Sequence, residues 1–320
     1  MFGSGDEFDY FQCGLCGCLQ IADFPKEMGR YYPSDYFPSP APADPPRPTA
    51  APLAIPWDAV RRWATGQRNR SILFGSSPIG QALALLFPAA DAAAWAPLLR
   101  KARVRTFTAR ILDVGCGSGR HLRQLAQLGF TSLTGIDRYL PCEFEANSPP
   151  ITIRRVSLEE VPGKFDLILF HHSLEHMEGQ VETLRCALEK LSPRGVCLVR
   201  LPIVSSDVWR LYGVDWVELE PPRHFYLHSV KSMELAANKA GFRLFGLVHE
   251  ATGFCYWGSE QIRRGIPLRA PDSYWVNPKS TVFSHAELRH FESLAAQANL
   301  AGCGGRAAFF LERNPARSSG

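Results

Sequence analysis

The sequence predicts an α/β fold in which a mostly parallel, seven-stranded sheet carries helices on both faces, with a small N-terminal extension. Three observations lead there. From Arg110 onward, short apolar runs alternate with helical patterns, which is the rhythm of strand–helix–strand crossovers. The runs Ile111-Leu-Asp-Val114 and Phe165-Asp-Leu-Ile-Leu-Phe170 are apolar almost throughout, as strands buried on both faces are. The 320 residues are 46% hydrophobic and 21% charged, the composition of a globular chain long enough for one large domain with appendages.

Residues 1–36 make up the extension, where Cys13, Cys16 and Cys18 cluster. Met1 is followed by Phe2, Gly3, Ser4, Gly5 and Asp6, which supply neither the basic nor the apolar part of a secretory leader, so a cytoplasmic location is expected. Residues 37–56 read FPSPAPADPPRPTAAPLAIP. Proline removes backbone donors, and this tract is expected to be an extended linker. Residues 57–104 are expected to be helical, because Trp57 to Arg70 and Ile79 to Arg100 carry apolar residues at helical spacings.

The core domain is expected over 105–315. Its candidate strands are Ile111 to Val114, Leu133 to Ile136, Ile151 to Arg155, Phe165 to Phe170, Val196 to Leu201, Phe242 to Val248 and Ala307 to Leu311. Between them Val181, Leu184, Leu188 and Leu191 recur at spacings of three and four, the core face of a helix. Ser229 can cap a further helix that Gly241 ends. An insertion at about 250–305 carries Tyr256, Trp257 and Trp275, which either cover an acceptor pocket or pack against the core helices.

The formal net charge is only +4, and the Lys and Arg residues are scattered. No basic stripe with interleaved aromatics marks a nucleic-acid surface, and no apolar run approaches the roughly 20 residues of a membrane span. Nine cysteines, an odd and mostly dispersed set, read as reduced thiols in a cytoplasmic chain.

The most informative stretch is Ile111-Leu-Asp-Val-Gly-Cys-Gly-Ser-Gly119, a strand that runs into a glycine loop and then a helix opening near His121. Glycines let backbone approach a ligand closely. The same plan can hold a dinucleotide, but that loop needs a third glycine three positions after the second, where Arg120 stands. Asp113 sits at the strand end. Asp137 closes the next strand, where a carboxylate can accept hydrogen bonds from both hydroxyls of a ribose. The loop spacing resembles motif I of the class I S-adenosylmethionine (SAM) dependent methyltransferases. That resemblance implies a Rossmann-like core with SAM as cofactor, held by Asp113, Gly115, Cys116, Gly117, Gly119, Asp137 and Arg138. In the same pattern Ser157 and Leu158, after the third strand, line the adenine.

The fourth strand runs into His171-His-Ser-Leu-Glu-His176, at the sheet edge where ligands of open α/β sheets sit. Three readings stand for His171, His172, Glu175 and His176: cofactor or substrate contact, general base, and divalent metal site. The first takes His171 to the cofactor and the second makes His172 a base. The metal reading comes from resemblance to ubiquinone-pathway O-methyltransferases, but His172 occupies a carboxylate position of that pattern and magnesium prefers oxygen ligands, so no metal ligand is assigned. Further on, Trp216-Val-Glu-Leu-Glu-Pro-Pro-Arg-His-Phe-Tyr-Leu-His228 reads as a substrate-side loop. There Arg223 can clamp an anion and His224 can take a proton from an attacking hydroxyl.

Together with Phe254-Cys-Tyr-Trp-Gly-Ser-Glu-Gln261, these segments resemble the methyltransferase type 23 group over about Phe8 to Leu311. The resemblance implies a small-molecule or glycan acceptor, possible lipid linkage included, and in-line displacement at the sulfonium methyl. The cysteine segment resembles the second half of that group's zinc ribbon. A tetrahedral zinc needs four ligands, so no complete site is expected here: either the start codon lies upstream of Met1 or the ribbon has decayed. Two rival classes remain, a nicotinamide-dependent oxidoreductase and a non-catalytic binding module.

Overall fold

The chain is seen in a computed structural model that describes residues 5–32, 57–75, 77–140, 142–147 and 150–315. The linker expected over residues 37–56 lies outside them. A hairpin of β1 (Tyr10–Gln12) and β2 (Leu19–Ile21) is followed by helices α1 (Trp57–Phe74), α2 (Pro78–Leu86) and α3 (Ala90–Lys101). Then come β3 (Ile111–Val114), α4 (Arg120–Leu128), β4 (Leu133–Ile136), β5 (Phe144–Asn147), β6 (Pro150–Arg154), β7 (Phe165–His171), α5 (Gln180–Lys190) and β8 (Leu191–Pro202). The remaining elements are α6 (Asp207–Tyr212), β9 (Tyr226–Leu227), α7 (Val230–Ala240), β10 (Phe242–His249), α8 (Gly253–Arg263), α9 (His285–Leu300) and β11 (Arg306–Arg313).

The large sheet has the order β10-β11-β8-β7-β3-β4-β6-β5 and is mostly parallel, flanked by helices. β3 pairs in parallel with β4, setting Asp113 opposite Gly135, and β4 pairs in parallel with β6. The sheet has eight strands rather than the predicted seven, because β5 adds an antiparallel edge to β6 with Phe144 opposite Ile153. Phe-Glu-Ala-Asn carries no β-branched residue, so cross-strand pairing rather than propensity makes it a strand. A second sheet, β1-β2-β9, was not predicted either. Strands of two or three residues are too short to show a period.

The helical stretch expected over Ile79 to Arg100 is two helices. Pro88 disfavours helical backbone at the residue before it, and Phe87 accordingly turns out to φ −132° and ends α2. Ser229 and Gly241 bound α7 as expected, Ser229 in a reciprocal capping box with Ser232 and Gly241 in the left-handed conformation.

The described residues form two compact units. The loop unit comprises 57–169 and 186–198, and the histidine unit comprises 5–32, 170–185 and 199–315, so β7 and β8 each change unit along their own length. Ile111, Leu112, Leu122, Leu125, Leu167 and Ile168 are buried at the centre of the loop unit, the α4 leucines falling at helical spacing. The core of the histidine unit gathers Val208, Trp216, Leu227, Cys255, Tyr256 and Phe291. The insertion expected at about 250–305 contributes to that core. Trp257 meets Phe254 and Tyr274 edge-on with ring centroids 5.0 Å away in each case, so its aromatics pack on one another.

Candidate functional site

Each unit carries a cluster of polar groups. In the loop unit, β3 delivers Gly115, Gly117 and Gly119 at φ 73°, 51° and 74°, a left-handed succession open to glycine and strained for other residues. The N–H groups of Gly115 and Cys116 both donate to the Ile136 carbonyl, at 2.8 and 3.1 Å. Gly117 N–H donates to Asp137 Oδ2 at 3.1 Å and Tyr139 N–H to Asp137 Oδ1 at 2.9 Å. The second-strand carboxylate is thus pinned against the loop by two backbone donors.

A Cβ at Gly117 would meet nothing within 4 Å, so the loop is open there, whereas one at Gly119 would run into Ile153 Cδ1. Cys116 turns its side chain inward, where a Cβ on Gly135 would stand 2.7 Å from its Sγ, and burial pushes its thiol pKa up. Only its backbone is offered to a ligand. Asp113 is fully buried and both carboxylate oxygens lack a hydrogen-bond partner. Burial, and then the charge of Asp137, push its pKa up to about 7, and burial also raises Asp137. A buried carboxylate without a hydrogen-bond partner carries an unmet demand for a donor or a cation.

The other predicted loop-unit residues are less committed. Arg138 is exposed and its carbonyl accepts from Arg155 Nε at 3.2 Å. Ser157 N–H is held by Glu160 Oε2 at 2.7 Å, and Leu158 is buried.

The histidine unit holds His171, His172, Glu175, His176 and His224. His176 Nδ1–H donates to the Arg223 carbonyl at 2.8 Å and His224 Nδ1–H to the Glu218 carbonyl at 2.7 Å. Those bonds set the tautomer, leaving the lone pair of each ring on Nε2. The two rings cross with centroids 4.7 Å apart, and burial, the largest cause, lowers both histidines to about 4. Glu175 is fully buried, its oxygens accept no hydrogen bond, and burial raises its pKa. His172 sits at φ 51° with Nδ1 3.3 Å from Glu175 Oε1, and desolvation followed by the Arg306 charge lowers it to about 4. Glu175, His176 and His224 offer donor atoms within 4.8 Å of one another, the one such group found among the described residues. Two imidazoles and one carboxylate suit a borderline transition ion better than magnesium.

Arg223 does not reach out as an anion clamp. It is buried, ion-paired to Glu220, and its guanidinium lies 5.7 Å from the centre of the Tyr32 ring. Glu220 Oε2 also stands 3.6 Å from His224 Nε2. The predicted cofactor contact His171 lies in the histidine unit, where Arg200 donates to its Nδ1 at 2.9 Å and clasps Glu250 with two bonds at 2.7 and 3.0 Å. Sequence reasoning missed Glu250, Arg200, Glu218 and Tyr10. Glu218 binds Arg306 and accepts the Cys255 thiol at 3.1 Å, and Tyr10 Oη donates to the His224 carbonyl at 2.8 Å. None has a local signal, since each partner lies far along the chain. The N-terminal hairpin therefore braces the His224 segment, aided by Ile21 N–H donating to the Phe225 carbonyl at 3.0 Å.

A family model described as a methyltransferase domain matches residues 78–246, more than half of the chain. A tRNA U34 carboxymethyltransferase of Azotobacter vinelandii is 27% identical over 143 residues, 42% of this chain and 45% of that protein. A ubiquinone biosynthesis O-methyltransferase of Albidiferax ferrireducens is 30% identical over 145 residues, 40% of this chain and 56% of that one. The chain spans about half the length of these curated relatives. Among solved structures, a SAM-dependent methyltransferase from Mesorhizobium loti aligns at TM-score 0.43 and 19% identity, covering 70% of this chain and 99% of that one.

Proposed function

Because this chain belongs to the methyltransferase domain family, whose methyl donor is S-adenosylmethionine, we propose that it moves the donor's methyl group to a hydroxyl of a sugar, glycan or lipid-linked acceptor. The observation that carries the reading is the pairing of an open Gly117 with a carboxylate, Asp137, held by two backbone N–H groups. A ribose can bring its two hydroxyls to that carboxylate. The unpartnered Asp113 carboxylate suits the ammonium at the methionyl end. SAM itself supplies an activated methyl on a sulfonium, so the protein's task is to hold the donor, align the acceptor and exclude water.

For a hydroxyl acceptor a base helps. His224 is the better candidate, because its Nδ1–H is committed to Glu218, its Nε2 keeps a lone pair, and Glu220 stands where it would steady the imidazolium. His172 is the second candidate, backed by Glu175. A pKa near 4 keeps either ring unprotonated at neutral pH. The sugar or lipid-linked acceptor class rests on the resemblance of the His171–His176 and Pro221–His224 segments to enzymes of glycan pathways. No helix of the described residues is long and apolar enough to cross a membrane.

Calorimetric titration with SAM, S-adenosylhomocysteine and NAD is the direct test. Saturable binding of both adenosyl ligands, weakened at least about tenfold in Asp137→Ala, is expected from the loss of two charge-assisted hydrogen bonds. Binding of NAD alone would favour an oxidoreductase, and adenosyl binding without turnover on any hydroxyl acceptor would favour a binding module. Unchanged turnover in both His224→Ala and His172→Ala would remove the base.

A further inference from the structure

The C-terminal half of α1 is anchored in the loop unit. Asn69 Nδ2 donates to the Leu128 carbonyl at 3.1 Å, Leu73 is fully buried, and Arg100 Nε donates to the Leu73 carbonyl at 2.9 Å. The N-terminal half is different: from Trp57 to Gly66 none of the described side chains is buried, and Trp57 and Trp63 are 68% and 53% exposed. Helix α2 closes on α1 through Gly80, where a Cβ would stand 2.7 Å from the Ser71 Cβ. At 100° per residue, Ile79, Ala82, Leu85 and Leu86 fall on the side of α2 opposite Gly80. Leu85 is 86% and Leu86 71% exposed, and Phe87 beyond them is exposed as well. A surface helix turns its apolar stripe to the core and its polar face to water; α2 has no charged residue and presents leucine and isoleucine outward.

The charges of the hairpin are one-sided. Over residues 57–90 the acid is Asp58 alone, against Arg61, Arg62, Arg68 and Arg70, with Arg61, Arg62 and Arg70 exposed. Two copies of such a surface would set arginines against arginines, which disfavours a self-interface. An anionic bilayer surface complements it: leucine, isoleucine and phenylalanine enter the acyl boundary, tryptophan sits at headgroup level, and guanidinium groups meet lipid phosphate. We propose that the α1–α2 hairpin is a membrane-surface docking site that seats the protein on anionic lipid without spanning it. This does not depend on the acceptor's identity, although a lipid-linked acceptor would be met at the same surface.

Co-sedimentation of the whole protein with vesicles tests it. Strong binding is expected to equimolar phosphatidylcholine and phosphatidylglycerol, with little to pure phosphatidylcholine, and high salt should weaken it. Arg61→Gln with Arg62→Gln should cost about fivefold for each arginine, roughly twenty-five-fold together. Leu85→Ser with Leu86→Ser should abolish the residual binding while the thermal unfolding curve stays as in the parent, these side chains being exposed. The idea fails if neutral and anionic vesicles bind alike, or if both double variants bind as the parent does. It fails equally if light scattering finds a dimer that the leucine variant converts to a monomer, which would make the face an interface between copies.

Discussion

Gly119 has no room for a side chain: its φ is 74°, and a Cβ would collide with Ile153 at the start of α4. Gly119→Ala should therefore lower stability by about 1–3 kcal/mol, and Ile153→Val in the same chain should recover part of it in urea titrations. Glycine spacing, being local, was visible in the sequence; that Ile153 fills the space behind it was not. His228 shows the same limit. Its Nε2–H donates to Gln180 Oε1 at 2.6 Å while the Gln180 amide donates to the Leu174 carbonyl, and burial lowers its pKa to about 4. The folded state refuses a proton that the unfolded chain accepts near 6.5, so this histidine's contribution is complete above about pH 6.5 and is lost as pH falls toward 4. The stability advantage of the parent over His228→Gln should shrink by about 2 kcal/mol between pH 7 and pH 5; an advantage constant across that range would rule the linkage out.

At the scale of elements, strands with continuous apolar runs and helices bounded by caps were legible, because propensity, period and end signals agree there. β5 and the β1-β2-β9 sheet were not: β5 has no β-branched residue and becomes a strand through its hairpin with β6, and the small sheet closes only where Gln20 pairs with the distant Tyr226. The break between α2 and α3 was written in Pro88. Gly80 is an element-scale residue, because it sets how closely α1 and α2 approach. Gly80→Ala gains helix propensity of up to about 1 kcal/mol on its own, yet it must push α2 off the α1 backbone. A net loss of about 1–3 kcal/mol in denaturant unfolding is expected, and a net gain would mean that the helices slide apart at no cost.

For the molecule as a whole, the predicted α/β plan and the glycine loop emerged from sequence, whereas the network around His224 did not: Tyr10, the Glu218–Glu220 segment and Arg306 converge from three separated stretches. All nine cysteines are unbridged thiols. The thermal midpoint should accordingly be the same within about a degree or two with and without reductant; a marked fall on reduction would reveal a bridge. The division of the chain also bears on its synthesis. The loop unit is complete only when residues 186–198 have followed 57–169, and the first hairpin made waits for β9 before its sheet can close. A nascent chain leaving the ribosome in order therefore carries β1 and β2 unpaired on one side while the loop unit assembles. A hairpin made before the loop unit thus settles after it, when it would close over a His224 segment that has only just been translated.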